Sequence, residues 1–116
     1  MKSKQDNQGP LTTPAVHILL ALSESQLHGY RIMQSVKRLS GGKYALGPGT
    51  LYANLSVLLD KGWVGETQRK REDGSTRREY FLTSAGEQVL RAEIQRLRQL
   101  VASASRRPNK LDRRNA

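Results

Sequence analysis

The chain has no cysteine, which excludes disulfides, thiolate metal sites and cysteine nucleophiles outright. Aromatic residues are scarce: one Trp, one Phe and four Tyr make up 5% of 116 positions. Hydrophobic residues as a whole reach 36%, against roughly 45–50% in an ordinary globular chain, a figure that also counts glycine. A deep cofactor pocket or a large enzyme cleft is therefore not expected. No apolar run approaches the ~20 residues of a membrane span, and Met1–Pro10 is too polar for a signal peptide. Acidic residues are outnumbered two to one, with ten Asp and Glu against 20 Lys and Arg, a formal net charge of +10. These features together predict one soluble, cytoplasmic domain with a polyanionic partner. A chain of this length buries only about two-thirds of its unfolded surface, so an oligomer interface would help to stabilise it.

The positive excess is uneven. Residues 61–79 hold six basic and four acidic groups, whereas the short tail carries Arg106, Arg107, Lys110, Arg113 and Arg114 against Asp112 alone. The tail is polar and lacks apolar periodicity, so 105–116 reads as a disordered basic arm and 1–10 as a disordered N-terminal segment. Such an arm either solubilises the chain or adds sequence-independent attraction to phosphates.

Between these ends the punctuation is that of one unit. Thr12 or Thr13 can cap a helix with Pro14 in its first turn, and the following Ala15–Leu22 run is apolar nearly all round, which predicts a central, buried helix. His17 lies in that run with no partner at ligand spacing and reads as a satisfied core or interface histidine. A second helix is expected from about Leu27 to Leu39, with Ile32, Val36 and Leu39, and Tyr30 and Met33 beside them, facing the core. Ser40-Gly41-Gly42-Lys43 stops it. A third helix opens at Gly47-Pro48-Gly49-Thr50 and ends at Gly62, its stripe formed by Leu51, Leu55, Leu58 and Leu59. Residues 63–69 and 76–82 read as two strands, with Asp73-Gly74 as the hairpin signal. Thr83 or Ser84 caps a last helix, and Ser84 with Glu87 fits a capping box. The fold class is thus mainly α with a small β hairpin: a winged helix-turn-helix over 11–82, followed by a C-terminal dimerisation helix over 83–104.

The face of the third helix opposite its leucines is unusual. Gly49, Ala53, Ser56 and Asp60 lie opposite the stripe and Thr50, Tyr52, Asn54 and Val57 on its flanks. With Pro48, the N-terminal half of this face is small, neutral and able to hydrogen-bond, where an ordinary solvent face would carry Lys and Glu. In a helix-turn-helix the second helix enters the major groove with its N-terminal residues leading. Gly49 and Ala53 would let its backbone approach base edges, while Thr50, Tyr52, Asn54 and Ser56 could bond to bases or phosphates. Arg69, Lys70, Arg71, Arg77 and Arg78 give the hairpin a cationic tip and shoulder, suited to an adjacent groove or backbone. Glu66, Glu72, Asp73 and Glu79 dilute that charge.

His28-Gly29-Tyr30, Leu46-Gly47-Pro48-Gly49-Thr50-Leu51-Tyr52, Leu58-Leu59-Asp60-Lys61-Gly62 and Arg78-Glu79-Tyr80-Phe81-Leu82-Thr83-Ser84-Ala85-Gly86 resemble the PadR family of bacterial transcriptional regulators, in its short form with a single C-terminal helix. The resemblance covers roughly residues 11–103. It implies a winged helix-turn-helix dimer, usually a repressor, with Thr50 and Tyr52 meeting DNA and Arg77 or Arg78 serving the wing. Some short members hold flat aromatic drugs between tryptophans of the last helix. Residues 84–104 here contain no aromatic, so that mode lacks its tryptophans.

Leu90, Ile94, Leu97, Val101 and Ala104 follow alternating steps of four and three, a heptad stripe that favours two strands when the helices are parallel. Packing against the parent domain wants the same stripe. Because the stretch follows the wing and the domain is small, the expectation is a homodimer, with Val16, Leu19 and Leu20 of the first helix completing its surface. The function expected is that of a sequence-specific regulator of double-stranded DNA, possible release by a small-molecule effector included. The alternatives are an RNA-binding or a protein-interaction winged helix. Scarce aromatics argue against stacking of unpaired RNA bases. No Ser/His/Asp set, HExxH or phosphate-loop pattern is present, and no cofactor or metal is implied.

Overall fold

The computed structural model describes residues 9–106; the expected disordered segments 1–10 and 105–116 lie, but for their innermost two residues each, outside that range. The first helix, α1, runs Thr13–Glu24. Thr12 caps it by accepting from the Ala15 N–H at 3.2 Å, and Pro14 occupies its first turn at no cost in hydrogen bonds. Its Ala15, Ile18, Leu19, Ala21 and Leu22 are buried, and the later helices and the sheet pack around it. His17 is satisfied locally, with Nδ1 2.7 Å from the Thr13 carbonyl oxygen and its ring 4.4 Å from that of Tyr44.

The second helix, α2, spans Gly29–Leu39. The two residues before it, expected to be helical, instead form the short strand β1, Leu27–His28. Tertiary pairing overrides the local helical pattern there: Leu27 lies opposite Tyr80 and His28 opposite Glu79 in an antiparallel ladder. Ile32 and Val36 are buried as expected, but Tyr30 is 61% exposed and faces away from the core. With α3, Pro48–Asp60, it makes the helix-turn-helix pair; Leu51, Leu55 and Leu58 anchor α3 from beneath.

Strands β2, Val64–Lys70, and β3, Thr76–Leu82, form the wing, and the sheet order is β1-β3-β2. At its tip Arg71 N–H donates to Ser75 O at 2.8 Å and Gly74 N–H to Arg71 O at 3.0 Å, leaving a three-residue loop. Gly74 sits there at φ +91°, left-handed backbone that glycine adopts without strain.

The last helix, α4, runs Ser84–Ser105. Its cap is Thr83, and the expected Ser84–Glu87 box is not formed. The Thr83 hydroxyl accepts from Gly86 N–H at 3.0 Å and donates to Gly62 O at 2.7 Å. Glu87 lies one residue too far on to close a box and pairs with Arg91 at 3.5 Å. Leu90 and Glu93 are buried against the body, Glu93 held by Arg96 at 2.7 Å, whereas Leu100 and Val101 are 59% and 64% exposed. The helix thus leaves the core along its length. No helix among the described residues is long and apolar enough to cross a membrane.

Candidate nucleic-acid interface

The leucine stripe of α3 fixes which residues it offers outward. Pro48, Gly49, Thr50, Tyr52, Ala53 and Ser56 are exposed, and Asn54 is half-buried. Asn54 Nδ2 donates to the Thr50 carbonyl at 2.8 Å, so its carbonyl oxygen is the end left for a partner. No charge occurs along α3 before Asp60. Gly49 is telling: a Cβ there would meet nothing, and its φ is not positive. Nothing in the protomer's own packing calls for glycine at this point; close approach by an external partner would.

The N-termini of the helices differ. Thr12 and Thr83 cap α1 and α4 through their side chains, whereas α2 and α3 begin at His28 and Gly47 with no side-chain cap. Their first-turn N–H groups and positive dipole ends suit an anion. The two sites are neighbours, because the Tyr52 hydroxyl lies where a Cβ on Gly29 would be. Exposed Tyr30 and Arg31 flank this junction. Tyr30 is exposed against the expectation that it face the core, whereas Arg31 is solvated as its place on the helix implies; Gly29 itself is buried.

Strand alternation divides the wing's cations between two faces. Arg69 and Arg77 stand directly opposite each other on the face turned away from the core. Arg78, next in the chain, lies on the other face, with Glu66 3.4 Å from its Nε and the buried Tyr80 two residues along. The Tyr80 phenol is pushed up by burial, while Arg78 beside it draws it down. Arg69, Lys70, Arg71 and Arg77, with Glu72 and Asp73, line an open cleft at the wing tip. Asp73 is taken up there by Ser75, whose N–H and hydroxyl donate to Oδ1 at 2.9 and 2.6 Å. His28 sits close to the root of this face. Burial first, then Arg77 and Arg31, hold its imidazole below the ordinary 6.5, and Glu79 opposes them.

Of the residues expected at a dimer surface, two are corrected. Leu19 has no exposed surface and Leu90 only 4%, so both belong to the protomer's own core and have nothing left for a partner. Val16, Leu20, Ile94 and Leu97 are half-buried, and Val101 and Ala104 are exposed. Leu100, outside the heptad stripe, is exposed beside them. Ile94, Leu97, Val101 and Ala102, with Arg98, make an open, largely apolar strip along this part of α4. Elsewhere, a cleft of about 320 Å³ opens between Leu11, Ala15, Val57, Lys61 and Trp63, with the Lys61 ammonium 5.1 Å from the Trp63 ring centre. Among the described residues no group of three His, Cys, Asp or Glu is placed to hold a metal ion.

Comparison with known proteins places this geometry. The family model described as "Transcriptional regulator PadR-like family" matches residues 18–92. A transcriptional regulator of Mycobacterium tuberculosis is 34% identical over 85 residues, covering 73% of this chain and 76% of its own. Two further curated relatives, 36% and 33% identical, are much longer, and the chain spans 22% and 33% of their lengths. Among solved structures, a PadR family transcription regulator from Clostridium difficile superimposes with a TM-score of 0.71 at 21% identity, covering 82% of this chain and 97% of that one. Bacillus subtilis PadR, solved in complex with operator DNA, does so at 0.62 and 25% identity, covering 69% of this chain and 46% of that one.

Proposed function

The chain belongs to the PadR-like family of transcriptional regulators, and from that premise we propose that it binds double-stranded DNA sequence-specifically and represses transcription as a homodimer. The observation that carries this reading is the uncharged, small-residue outer face of α3, whose Gly49 has no role within the protomer. Thr50, Tyr52, Asn54 and Ser56 would meet base edges or flanking phosphates in the major groove, with Pro48, Gly49 and Ala53 allowing the approach. Arg69, Lys70, Arg71 and Arg77 would supply phosphate attraction from the wing, and Arg78 from its inner face. The similarity to a protein solved on operator DNA supports DNA as the partner.

The dimer surface in this reading is the outer half of α4, from Ile94 to Ala104, with Val16 and Leu20 of α1. A two-fold axis would set the recognition helices about 34–36 Å apart and call for a pseudo-palindromic operator. A small-molecule effector would enter the cleft between α1 and α3, whose walls include Asn54 and Val57 of the reading helix, and would act by shifting that helix. The protein works in the cytoplasm, and no catalytic step is assigned to it.

Footprinting of the full chain on genomic fragments tests the reading. Two protected half-sites one helical turn apart, resistant to excess unrelated duplex, are expected. Weak binding, equal for every duplex and lost at modest salt, would overturn it in favour of a protein-docking role for α3; preference for RNA over duplex DNA would overturn it too.

A further inference from the structure

Glu79 is the one charged residue of the wing that is buried, 7% exposed, and neither base reading nor phosphate attraction uses it. It lies on β3, on the face opposite the buried Tyr80, and is covered by polar groups drawn from three places. Gln26, in the connection between α1 and β1, donates its Nε2 to Oε1 at 2.8 Å. Arg77 approaches Oε2 at 3.4 Å and Arg69 approaches Oε1 at 3.8 Å. Arg69 and Arg77 are cross-strand partners, and like charges placed so repel. Arg77 has one buried donor, Nε, without a hydrogen-bond partner among the described residues, and its Nη2 is the atom that reaches Glu79. One carboxylate therefore sits against an exposed and a half-buried cation of the wing, and is itself bonded to the α1–β1 connection through Gln26.

We propose that Glu79 is the positioning residue of the DNA interface: it orients Arg69 and Arg77 so that they meet phosphates at one place relative to α3, and it withholds part of their charge from duplexes that α3 does not fit. The role rests on the duplex-binding reading above. Each guanidinium has five N–H donors, so pairing with Glu79 leaves both arginines able to bind phosphate while restricting where they do so. The hydrogen bond from Gln26, then Arg69 and Arg77, keep the Glu79 carboxyl below its ordinary range, and the charge is present throughout the neutral range.

The test is titration of operator and scrambled duplexes with the full chain at several salt concentrations, for wild type, Glu79→Gln and Glu79→Asp. Glu79→Gln keeps an acceptor for Gln26 and removes only the charge. Its operator-to-scrambled affinity ratio is expected to fall about tenfold, the size of one well-placed contact. Scrambled duplex should bind as tightly as before or more tightly, with a salt slope steeper by about 0.9 for each arginine that gains a phosphate. Glu79→Asp should recover part of the ratio. In a background of Arg69→Ala with Arg77→Ala, Glu79→Gln should have no further effect, because its action passes through those two side chains. If Glu79→Gln folds poorly, Gln26→Ala, at an exposed position, should shift the ratio in the same direction.

An unchanged ratio in a wild type that does prefer its operator would overturn the role of Glu79 alone. So would an equal loss on both duplexes that follows lost stability, or an effect that persists without the arginines. A wild type with no operator preference would remove the premise, and the proposal with it.

Discussion

Thr50 and Tyr52 stand one helical turn into a surface that carries no charge, so whatever they contribute to binding must come from hydrogen bonds and fit. Removing one hydroxyl at a time tests this without disturbing the leucine stripe beneath. Thr50→Ala or Tyr52→Phe should weaken operator binding by about 1–3 kcal/mol if the hydroxyl makes a well-formed contact. Scrambled duplex should bind as before, as fluorescence anisotropy on both would show. His28 makes a different prediction. Its imidazole is held below 6.5 by burial, then by Arg77 of β3 and Arg31 of α2, with Arg71 of the wing tip adding to them and Glu79 opposing. The folded state thus favours the neutral ring. Stability is full above the unfolded value; as pH falls below it the unfolded chain takes up the proton first, and stability drops until the folded value is passed. The thermal midpoint should therefore fall as the pH drops through and below 6.5, and fall less in His28→Asn. Glu79, depressed in the folded state, acts in a lower window: its contribution is full above its ordinary 4.5 and lost as pH drops further.

At the scale of elements, the local signals and the long-range ones part company. Thr83, not Ser84, joins α4 to the turn after α3, through a cap to Gly86 and a bond to Gly62 O. Thr83→Ala should cost about 1–2 kcal/mol in chemical denaturation, whereas Ser84→Ala should stay within about 0.5 kcal/mol. Helix α3 and the wing were legible because their boundaries are written in adjacent residues: Gly47-Pro48 starts one and Asp73-Gly74 turns the other. Strand β1 was not, since two residues have no periodicity of their own and owe their conformation to Tyr80 and Glu79, some fifty positions later. Glu79 was hidden for the same reason. Beside Arg77 and Arg78 it reads as one more member of a mixed-charge strand; only the pleat puts Arg77 with it and Arg78 behind, and only the fold brings Gln26 across.

For the whole molecule, the question is which apolar residues stabilise one protomer and which are left for a second. Helical periodicity answers alike for both, which is why Leu19 and Leu90 looked like interface residues; burial separates them from Leu100 and Val101. A helix of 22 residues is about 33 Å long, and here its first half is consumed by the core while its second half is not. The two classes of leucine should therefore fail differently. Leu90→Ala leaves a cavity in the protomer and should lower stability by about 2–5 kcal/mol, while the folded fraction associates as before. Leu100→Glu with Val101→Glu should leave the protomer's fold and circular dichroism intact but shift sedimentation to the monomer, because two charges on each helix would have to be desolvated in the interface. Operator affinity should fall with dimerisation, since two half-sites no longer bind as one unit, while binding to a single half-site should survive. A double variant that still sediments as a dimer would move the interface off α4 and onto α1, where Val16 and Leu20 remain half-exposed.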